Sequence, residues 1–151
     1  MMFSFGQSEN ECLEIDVLRY ERPLIGEYWD DNWLTVEIRV QAGGIHGKVT
    51  AAILTGEFEK FLSELRPLYE TLSGSANFKT MEAQLTLILV GDGKGHIELR
   101  GEVTDQPGIG NRLNFVLQFD QTQLATSIRE LERVIAQFPI RSLNASDMLK
   151  K

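Results

Sequence analysis

The segment GDGKGH, residues 91–96, is the part of the chain that most resembles a phosphate-binding loop. Glycines let backbone N–H groups approach a phosphate, and the lysine would add positive charge. The segment lacks the Gly-Lys-Ser/Thr ending of a P-loop, however, and its glycines are not spaced to open a nucleotide-binding helix. Because Asp92 and Gly93 are a preferred turn pair between two strand-like runs, the segment predicts a hairpin turn.

A metal site is the second chemistry that the residue types allow. His46 and His96 are the only histidines, and each lies beside a glycine turn. If the two hairpins met, these rings would bind a metal together with Asp92 or Asp105. Isolated histidines in loops are usually solvated, so the sequence predicts no metal and no cofactor. A small-ligand or metal-binding accessory domain remains the alternative function.

The sequence contains no recognisable catalytic motif. Cys12 is the only cysteine and falls in a predicted strand, and no serine lies in a GxSxG elbow. Asp30 and Asp31 are adjacent on a predicted loop, where carboxylates seldom acquire the shifted pKa that acid catalysis needs. The sequence therefore predicts a protein that is not an enzyme.

The segment EYWDDNW, residues 27–33, interleaves aromatic and acidic residues. Exposed aromatics anchor protein interfaces, and carboxylates around them attract a cationic partner. Trp33 is predicted to lie in the core, whereas Trp29 is compatible with either the core or the surface. The residues predicted to contact a partner are Glu27, Tyr28, Trp29, Asp30 and Asp31.

Alternating hydrophobic runs predict the strands that position these residues. Leu34, Val36, Ile38 and Val40 share one parity. A second run with a shared parity consists of Leu113, Phe115, Leu117 and Phe119. Glycine-containing turns separate neighbouring runs, and no strand is followed by a crossover helix and a clear parallel partner. We therefore predict an α+β fold with a mainly antiparallel sheet of about six or seven strands. The run 85–90 is apolar on both parities and predicts either a central strand covered on both faces or a strand at a sheet junction.

Two amphipathic helices are predicted to pack on the sheet. Thr55 is the predicted cap of the first helix, Pro67 predicts a kink or restart within it, and Gly74 predicts its end. Asp120 is the predicted cap of the second helix, and Pro139 ends it. The two halves each read as three strands and a helix, but the sequence match between them is little more than Glu-Leu at 64–65 and 130–131.

Composition limits the protein classes further. Lys and Arg total 15 against 22 Asp and Glu, for a formal net charge of -7, which argues against binding to nucleic acid and favours a basic partner. The lack of a signal sequence and of a long apolar run predicts a cytoplasmic protein without a membrane partner. The predicted organisation is a flexible segment at 1–11, one domain at 12–139 and a flexible tail at 140–151. The oligomeric state is not indicated.

Several segments resemble the bacterial WapI family of immunity proteins. They are DDNW followed by LTVEIRVQAG, then LYETLSG, GDGKGHIELRGEV and GNRLNFVLQFDQT, and they lie within residues 17–139 in the order and spacing of the family. The resemblance implies a cytoplasmic antitoxin. Such a protein would bind and neutralise the toxic C-terminal domain of a cognate secreted toxin. Toxin domains of this kind are commonly nucleases with basic grooves, which an acidic protein suits as a partner.

Overall fold

The protein contains two antiparallel sheets and two long helices. The computed structural model describes residues 1–142, apart from the side chain of Gln7. Within that range the first sheet contains β1 (Met2–Ser8), β2 (Glu11–Tyr20), β3 (Trp33–Ala42) and β4 (Ile45–Leu54). The second sheet contains β5 (Ser73–Lys79), β6 (Leu85–Asp92), β7 (His96–Gln106) and β8 (Ile109–Asp120). The helices are α1 (Tyr28–Asp31), α2 (Thr55–Thr71) and α3 (Gln121–Gln137).

The predicted α+β class and antiparallel pairing are confirmed. The eight strands found within residues 1–142 slightly exceed the predicted six or seven. Strands follow chain order in each sheet, so neighbouring strands are joined by hairpins or short connections. None of the helices in the described part of the chain is long and apolar enough to cross a membrane.

The segment GDGKGH forms the hairpin turn between β6 and β7. Gly93 and Gly95 have φ angles of 83° and 102°, which glycine adopts without steric cost. The Asp92 carboxylate accepts hydrogen bonds from the backbone N–H groups of Lys94 and His96, at 2.7 and 3.1 Å. These two bonds hold the pKa of Asp92 below its ordinary value. Asp92 thus satisfies two backbone donors of the turn, and a third, the Gly93 N–H, donates to the Leu72 carbonyl at 2.8 Å.

Part of the segment 1–11, which the sequence predicts to be flexible, forms a strand. Met2–Ser8 pairs antiparallel with β2, and Phe3 and Phe5 are fully buried. Phe3 packs edge-on against Phe58 of α2, and their ring centroids are 5.6 Å apart. A local signal for β1 is present in the sequence. Phe3 and Phe5 alternate with Ser4 and Gly6, a short pattern that is typical of a half-buried strand.

Helix α2 differs from its prediction at both ends. Leu54 is the N-cap residue, and the Thr55 hydroxyl donates instead to Asn32 Oδ1, at 3.0 Å. The helix continues through Pro67 to Thr71, so no restart occurs. Leu72 ends it with a left-handed φ of 61°, two residues before the predicted end at Gly74. The second helix begins as predicted, since the Asp120 carboxylate accepts the Gln123 N–H at 3.0 Å.

Each long helix protects an outer strand of the sheet in the other half of the chain. Glu130 of α3 accepts hydrogen bonds from the N–H and hydroxyl groups of Ser4 in β1, both at 3.1 Å. Glu64 of α2 accepts one from the N–H of Asn77 in β5, at 3.1 Å. Since an unpaired strand edge is a site for aggregation, the two glutamates have the same protective role in each half.

Glu130→Ala is expected to lower the free energy of unfolding by about 1 to 2 kcal/mol, because two hydrogen bonds to a carboxylate are lost. Urea denaturation followed by circular dichroism measures the change. Glu132→Ala is the matched control on the same helix, because Glu132 makes only a long 3.8 Å ion pair with Arg66. Equal effects of the two substitutions would contradict the role assigned to Glu130.

The prediction that residues 85–90 are covered on both faces is wrong. Leu85, Leu87 and Leu89 are fully buried, but Ile88 and Val90 on the opposite face of β6 are exposed. Both long helices and the first sheet pack on the inner side, where Phe5, Phe61 and Phe119 belong to one hydrophobic core. The strand β6 therefore has two apolar faces. The rest of this chain buries one of them and leaves the other exposed.

Candidate functional site

The segment EYWDDNW forms α1 and the start of β3. Tyr28 and Trp29 are 44% and 53% exposed on α1, and their rings meet edge to face with centroids 5.4 Å apart. Trp33, predicted in the core, is half-buried at the first position of β3. The helix thus presents two adjacent aromatic rings to solvent, which is an arrangement that protein interfaces use.

Asp31 differs from its predicted role. Its side chain is turned inward and is only 1% exposed. The carboxylate accepts hydrogen bonds from the backbone N–H groups of Ile25 and Gly26, at 2.8 and 2.9 Å. These bonds fix the loop that leads into α1. Asp31 is therefore a structural residue, and a partner would not touch its carboxylate in this conformation.

The other acidic residues of the segment remain at the surface. Asp30 forms an ion pair with Arg22, in which the guanidinium nitrogen and carboxylate oxygen are 2.8 Å apart. Arg22 thereby offsets the negative charge of Asp30. Glu27 is exposed and immediately precedes α1. Of the three acidic residues predicted to face a partner, Glu27 therefore contributes most of the exposed negative charge and Asp30 contributes less.

Asn32 and Arg141 attach α1 to the rest of the protein. The Asn32 amide is buried, and its nitrogen donates to the carbonyl groups of Tyr28 and Arg141, at 2.8 and 2.9 Å. Its Oδ1 accepts from the Thr55 hydroxyl at 3.0 Å and from the Arg141 N–H at 2.7 Å. All of its hydrogen-bonding capacity is used. The amide therefore joins α1, α2 and the segment after α3.

The Arg141 side chain also attaches α1 and the loop before it. Its guanidinium donates two hydrogen bonds to the Asp31 carbonyl, at 2.9 and 2.6 Å, and one to the Arg22 carbonyl, at 2.8 Å. It also lies 3.6 Å above the centre of the Tyr20 ring, a cation–π contact. Arg141 lies in the tail predicted to be flexible, 140–151, and is held by these contacts. Residues 143–151 lie outside the described part of the chain.

An apolar groove lies next to the two aromatic rings. It has a volume of about 260 Å³, and one wall is Tyr28 and Trp29. The remaining lining residues are Asn32, Leu54, Gly56, Glu57, Lys60 and Met81. We call this groove, together with the exposed faces of Tyr28 and Trp29, the Trp29 surface. Its size suits one large side chain of a partner protein.

Glu57 joins two sides of the Trp29 surface. Its carboxylate accepts the Leu54 N–H at the start of α2, at 2.9 Å, and the Met81 N–H in the β5–β6 connection, at 2.6 Å. Burial raises the pKa of Glu57, the two hydrogen bonds oppose that shift, and the negative charge of Glu82 adds to it. A neutral Glu57 is therefore favoured in the folded protein more than in the unfolded chain.

The raised pKa of Glu57 predicts a pH dependence of stability. The folded protein holds the Glu57 proton more tightly, so the free energy of unfolding falls as the pH rises from the ordinary value of 4.5 through the raised pKa. Chemical denaturation between about pH 4 and 7 tests this, with Glu57→Gln as the reference that cannot ionise. The advantage of wild type over the variant should shrink as the pH rises; an advantage that grows would contradict it.

The alternative metal site is not assembled by the described residues. His46 is exposed at the second position of β4 in the first sheet, whereas His96 begins β7 in the second sheet and contacts Gln118 Oε1 at 2.8 Å. Asp92 bonds within its own turn, and Asp105 accepts from the Asn111 N–H at 2.8 Å. Within residues 1–142, no group of three or more His, Cys, Asp or Glu is placed to hold a metal ion.

Cys12 is half-buried in β2, and its thiol faces the Glu9 carbonyl at 3.8 Å. Burial raises the pKa of this thiol, and the charges of Glu14 and Glu9 raise it further. A raised pKa keeps a thiol in its unreactive neutral form. The environment of Cys12 is thus the opposite of the one that activates a nucleophilic cysteine.

Sequence reasoning missed several residues of the Trp29 surface. Glu57 had a usable signal, because a glutamate three residues after a helix cap often binds back to the cap. Met81 and Lys60 had none, since they reach the groove only through the packing of β5 and α2. Arg141 was also missed, because a contact across 110 residues with Asp31 leaves no local pattern.

Fold and surface together define an α+β domain that presents fixed aromatic side chains beside an apolar groove, as protein-binding domains do. The family comparison agrees with the motifs found in the sequence. The model of the Immunity protein WapI-like family matches residues 3–139. The chain therefore belongs to the WapI-like immunity protein family. Among curated proteins, no sequence matches the chain.

Solved structures that are similar to this chain have low sequence identity to it. The structure of the plant transcriptional regulator PBF-2 matches with a TM-score of 0.51 and 13% identity, over 91% of this chain and 81% of that chain. The crystal structure of WHY1 from Arabidopsis thaliana has a TM-score of 0.49 and 12% identity, over 93% of this chain and 85% of that one. At such identities the PBF-2 match shows a common fold and nothing about activity.

Proposed function

We propose that this chain is a non-enzymatic immunity protein of the cytoplasm that binds and neutralises the toxic C-terminal domain of a cognate secreted bacterial toxin. The proposed binding site is the Trp29 surface, with Glu27 and Asp30 at its rim. Family membership supports the immunity role. The observation that carries the site is that Tyr28 and Trp29 are exposed while the backbone beneath them is fixed by Asn32 and Arg141.

A fixed aromatic anchor favours tight binding. Exposing a tryptophan to water has a free-energy cost, which burial against a partner removes. Much of the entropy cost of association comes from ordering flexible segments and side chains, and the hydrogen bonds of Asn32 reduce that cost for α1 in advance. The neighbouring groove provides room for a side chain of the toxin. Trp29 and the groove thus have the properties of an interface hot spot.

The charge of the chain supports a basic partner. With a formal charge of -7, the whole protein attracts a cationic surface at long range. Basic grooves occur in toxin domains that cleave nucleic acid, and blocking such a groove would neutralise the toxin without any chemistry by the immunity protein. The short-range contacts are then assigned to Tyr28 and Trp29, and the long-range attraction to the acidic residues around them.

Protection of living cells tests the proposed function. The toxic domain that copurifies with the chain from its native organism is expressed under an inducible promoter, with or without the chain. Wild type should restore growth, and Trp29→Ala should fail to do so at equal expression. Tyr69→Ala is the matched control, because Tyr69 is an aromatic residue of α2 with similar exposure, 42%, outside the Trp29 surface. Growth that depends on neither residue would contradict the proposed site, and no protection by wild type would contradict the function.

Rim charges are expected to affect the rate of association. Glu27→Gln and Asp30→Asn should each lower the association rate with the toxic domain, and the effect of Asp30 should be smaller because Arg22 neutralises it. The difference from wild type should disappear at high salt, where screening removes long-range attraction. Surface plasmon resonance at two salt concentrations measures both rates. Slower association that is independent of salt would contradict steering by these charges.

A further inference from the structure

The outer face of the second sheet carries an exposed apolar strip. Ile88, Val90 and Val116 are 41%, 46% and 46% exposed. Register places Ile88, Arg100 and Val116 side by side on β6, β7 and β8, and Val90 beside Glu98 in the next row. Single exposed apolar residues are normal, but here two lie on β6 and one on β8, with only β7 between them on the same face.

Arg100 makes the strip continuous across β7. Its guanidinium is 2.6 Å from the Glu98 carboxylate on the same strand, so the charged end lies along β7. Register places Arg100 between Ile88 and Val116, where the aliphatic part of its side chain can extend the apolar surface. We call Ile88, Val90, Glu98, Arg100 and Val116 the β6–β8 face.

The first sheet provides an internal comparison. Its third strand, β3, carries the same pattern, since Arg39 pairs with Glu37 two residues earlier as Arg100 pairs with Glu98. The residues beside Arg39 are Glu14 and Lys48, both charged, whereas those beside Arg100 are Ile88 and Val116. Among the described strands, the Arg–Glu pair on the third strand of a sheet thus has charged neighbours in the first sheet and apolar neighbours in the second. The solvated face of the first sheet shows that the fold itself does not require them.

We propose that the β6–β8 face binds the same face of a second copy of this chain, forming a homodimer. The charge balance of the face supports this partner. Glu98 pairs with Arg100 and Glu102 with Arg112, so these four charges cancel in a chain whose total is -7. Two acidic molecules repel each other least where they meet on such a balanced surface. A basic toxin, by contrast, gains no attraction from it.

The arrangement of residues is also self-complementary. Closed dimers place the same patch of each subunit against itself about a twofold axis. An axis that runs across the strands between the two rows exchanges the rows. It places Arg100 opposite Glu98 of the second copy, and Ile88 opposite Val90 of the second copy. Unlike charges then meet between positions 98 and 100, and apolar side chains meet between positions 88 and 90, whereas Val116 faces Gln118 of the second copy.

Sedimentation equilibrium over a range of protein concentrations tests the dimer. Wild type should show a reversible monomer–dimer equilibrium, and Val90→Lys should be monomeric at every concentration, because it places a charge within the apolar strip. Ile45→Lys is the matched control, since Ile45 is an exposed isoleucine at the start of β4 in the other sheet. Circular dichroism establishes that each variant is folded. A wild type that stays monomeric at millimolar concentration, or an equal loss with Ile45→Lys, would overturn the proposal.

Charge reversal tests the symmetry of the proposed dimer. Glu98→Arg alone and Arg100→Glu alone each place like charges opposite one another, so each variant should be monomeric. Mixed in equal amounts, the two variants should associate, because position 98 of either variant then faces a side chain of opposite charge at position 100 of the other. Failure of the mixture to associate would overturn the twofold arrangement. Neither Val90 nor Glu98 contributes to the Trp29 surface, so these results are independent of toxin binding.

Discussion

Trp29→Ala is expected to weaken binding to the toxic domain by about 2 kcal/mol or more, which corresponds to about 30-fold in affinity. The indole is the largest exposed side chain of the Trp29 surface, and removing it loses the apolar area buried by the partner. Because the ring makes its contacts with the partner only in the formed complex, the effect should appear in the dissociation rate. Isothermal titration calorimetry and surface plasmon resonance measure the affinity and the rates.

Two controls separate this effect from a loss of folding. Trp29→Ala should unfold at a denaturant concentration close to that of wild type, because its side chain is half exposed. Tyr69→Ala should bind the toxic domain as wild type does. If Trp29→Ala is folded and binds with unchanged affinity, the Trp29 surface is not the toxin-binding site.

Asn32→Ala is expected to lower the free energy of unfolding by about 2 to 4 kcal/mol. The substitution removes hydrogen bonds to Tyr28, Thr55 and Arg141 and leaves the buried Thr55 hydroxyl without its acceptor. It also loosens α1, which is then held by the hydrogen bonds of Asp31 and Arg141, the Asp30–Arg22 ion pair and one backbone hydrogen bond from Thr55 to residue 32. Toxin binding should therefore weaken although Asn32 is buried and offers a partner almost no surface.

Urea denaturation measures the loss of stability, and hydrogen exchange of the α1 backbone amides measures its release. Asn114→Ala is the matched control, because Asn114 is an exposed asparagine on β8. That substitution should change stability by less than about 0.5 kcal/mol. If Asn32→Ala is as stable as the control, the buried amide is not what fixes α1.

The regular part of the fold could be predicted from local patterns. Residues 34–40 alternate between buried and half-buried positions in β3, as their parity predicts. Turn chemistry predicted the β6–β7 hairpin, because the Asp92 carboxylate and the glycines with positive φ lie within the turn itself. The cap at Asp120 was equally local, since its carboxylate binds an N–H group three residues later. In each case, the deciding interaction lies within a few residues.

The site could be predicted only in part, because distant contacts decide it. The aromatic residues of α1 stand out in sequence, but nothing local shows that Asp31 faces inward while Asp30 faces Arg22. Arg141 fixes the same loop from the far end of the chain. The exposure of Ile88 could not be predicted either. A strand with two apolar faces predicts that both faces are buried, but the pattern does not show whether this chain or another molecule buries them.

Oxidative footprinting of the chain in complex with its toxic domain tests the binding site most directly. Hydroxyl radicals oxidise exposed tryptophan, tyrosine and methionine side chains, and mass spectrometry locates each product. Oxidation of Trp29, Tyr28 and Met81 should slow markedly in the complex, whereas that of Tyr69 should stay the same. Unchanged oxidation of Trp29 in a complex that protects residues elsewhere would contradict the assignment of the Trp29 surface as the toxin-binding site.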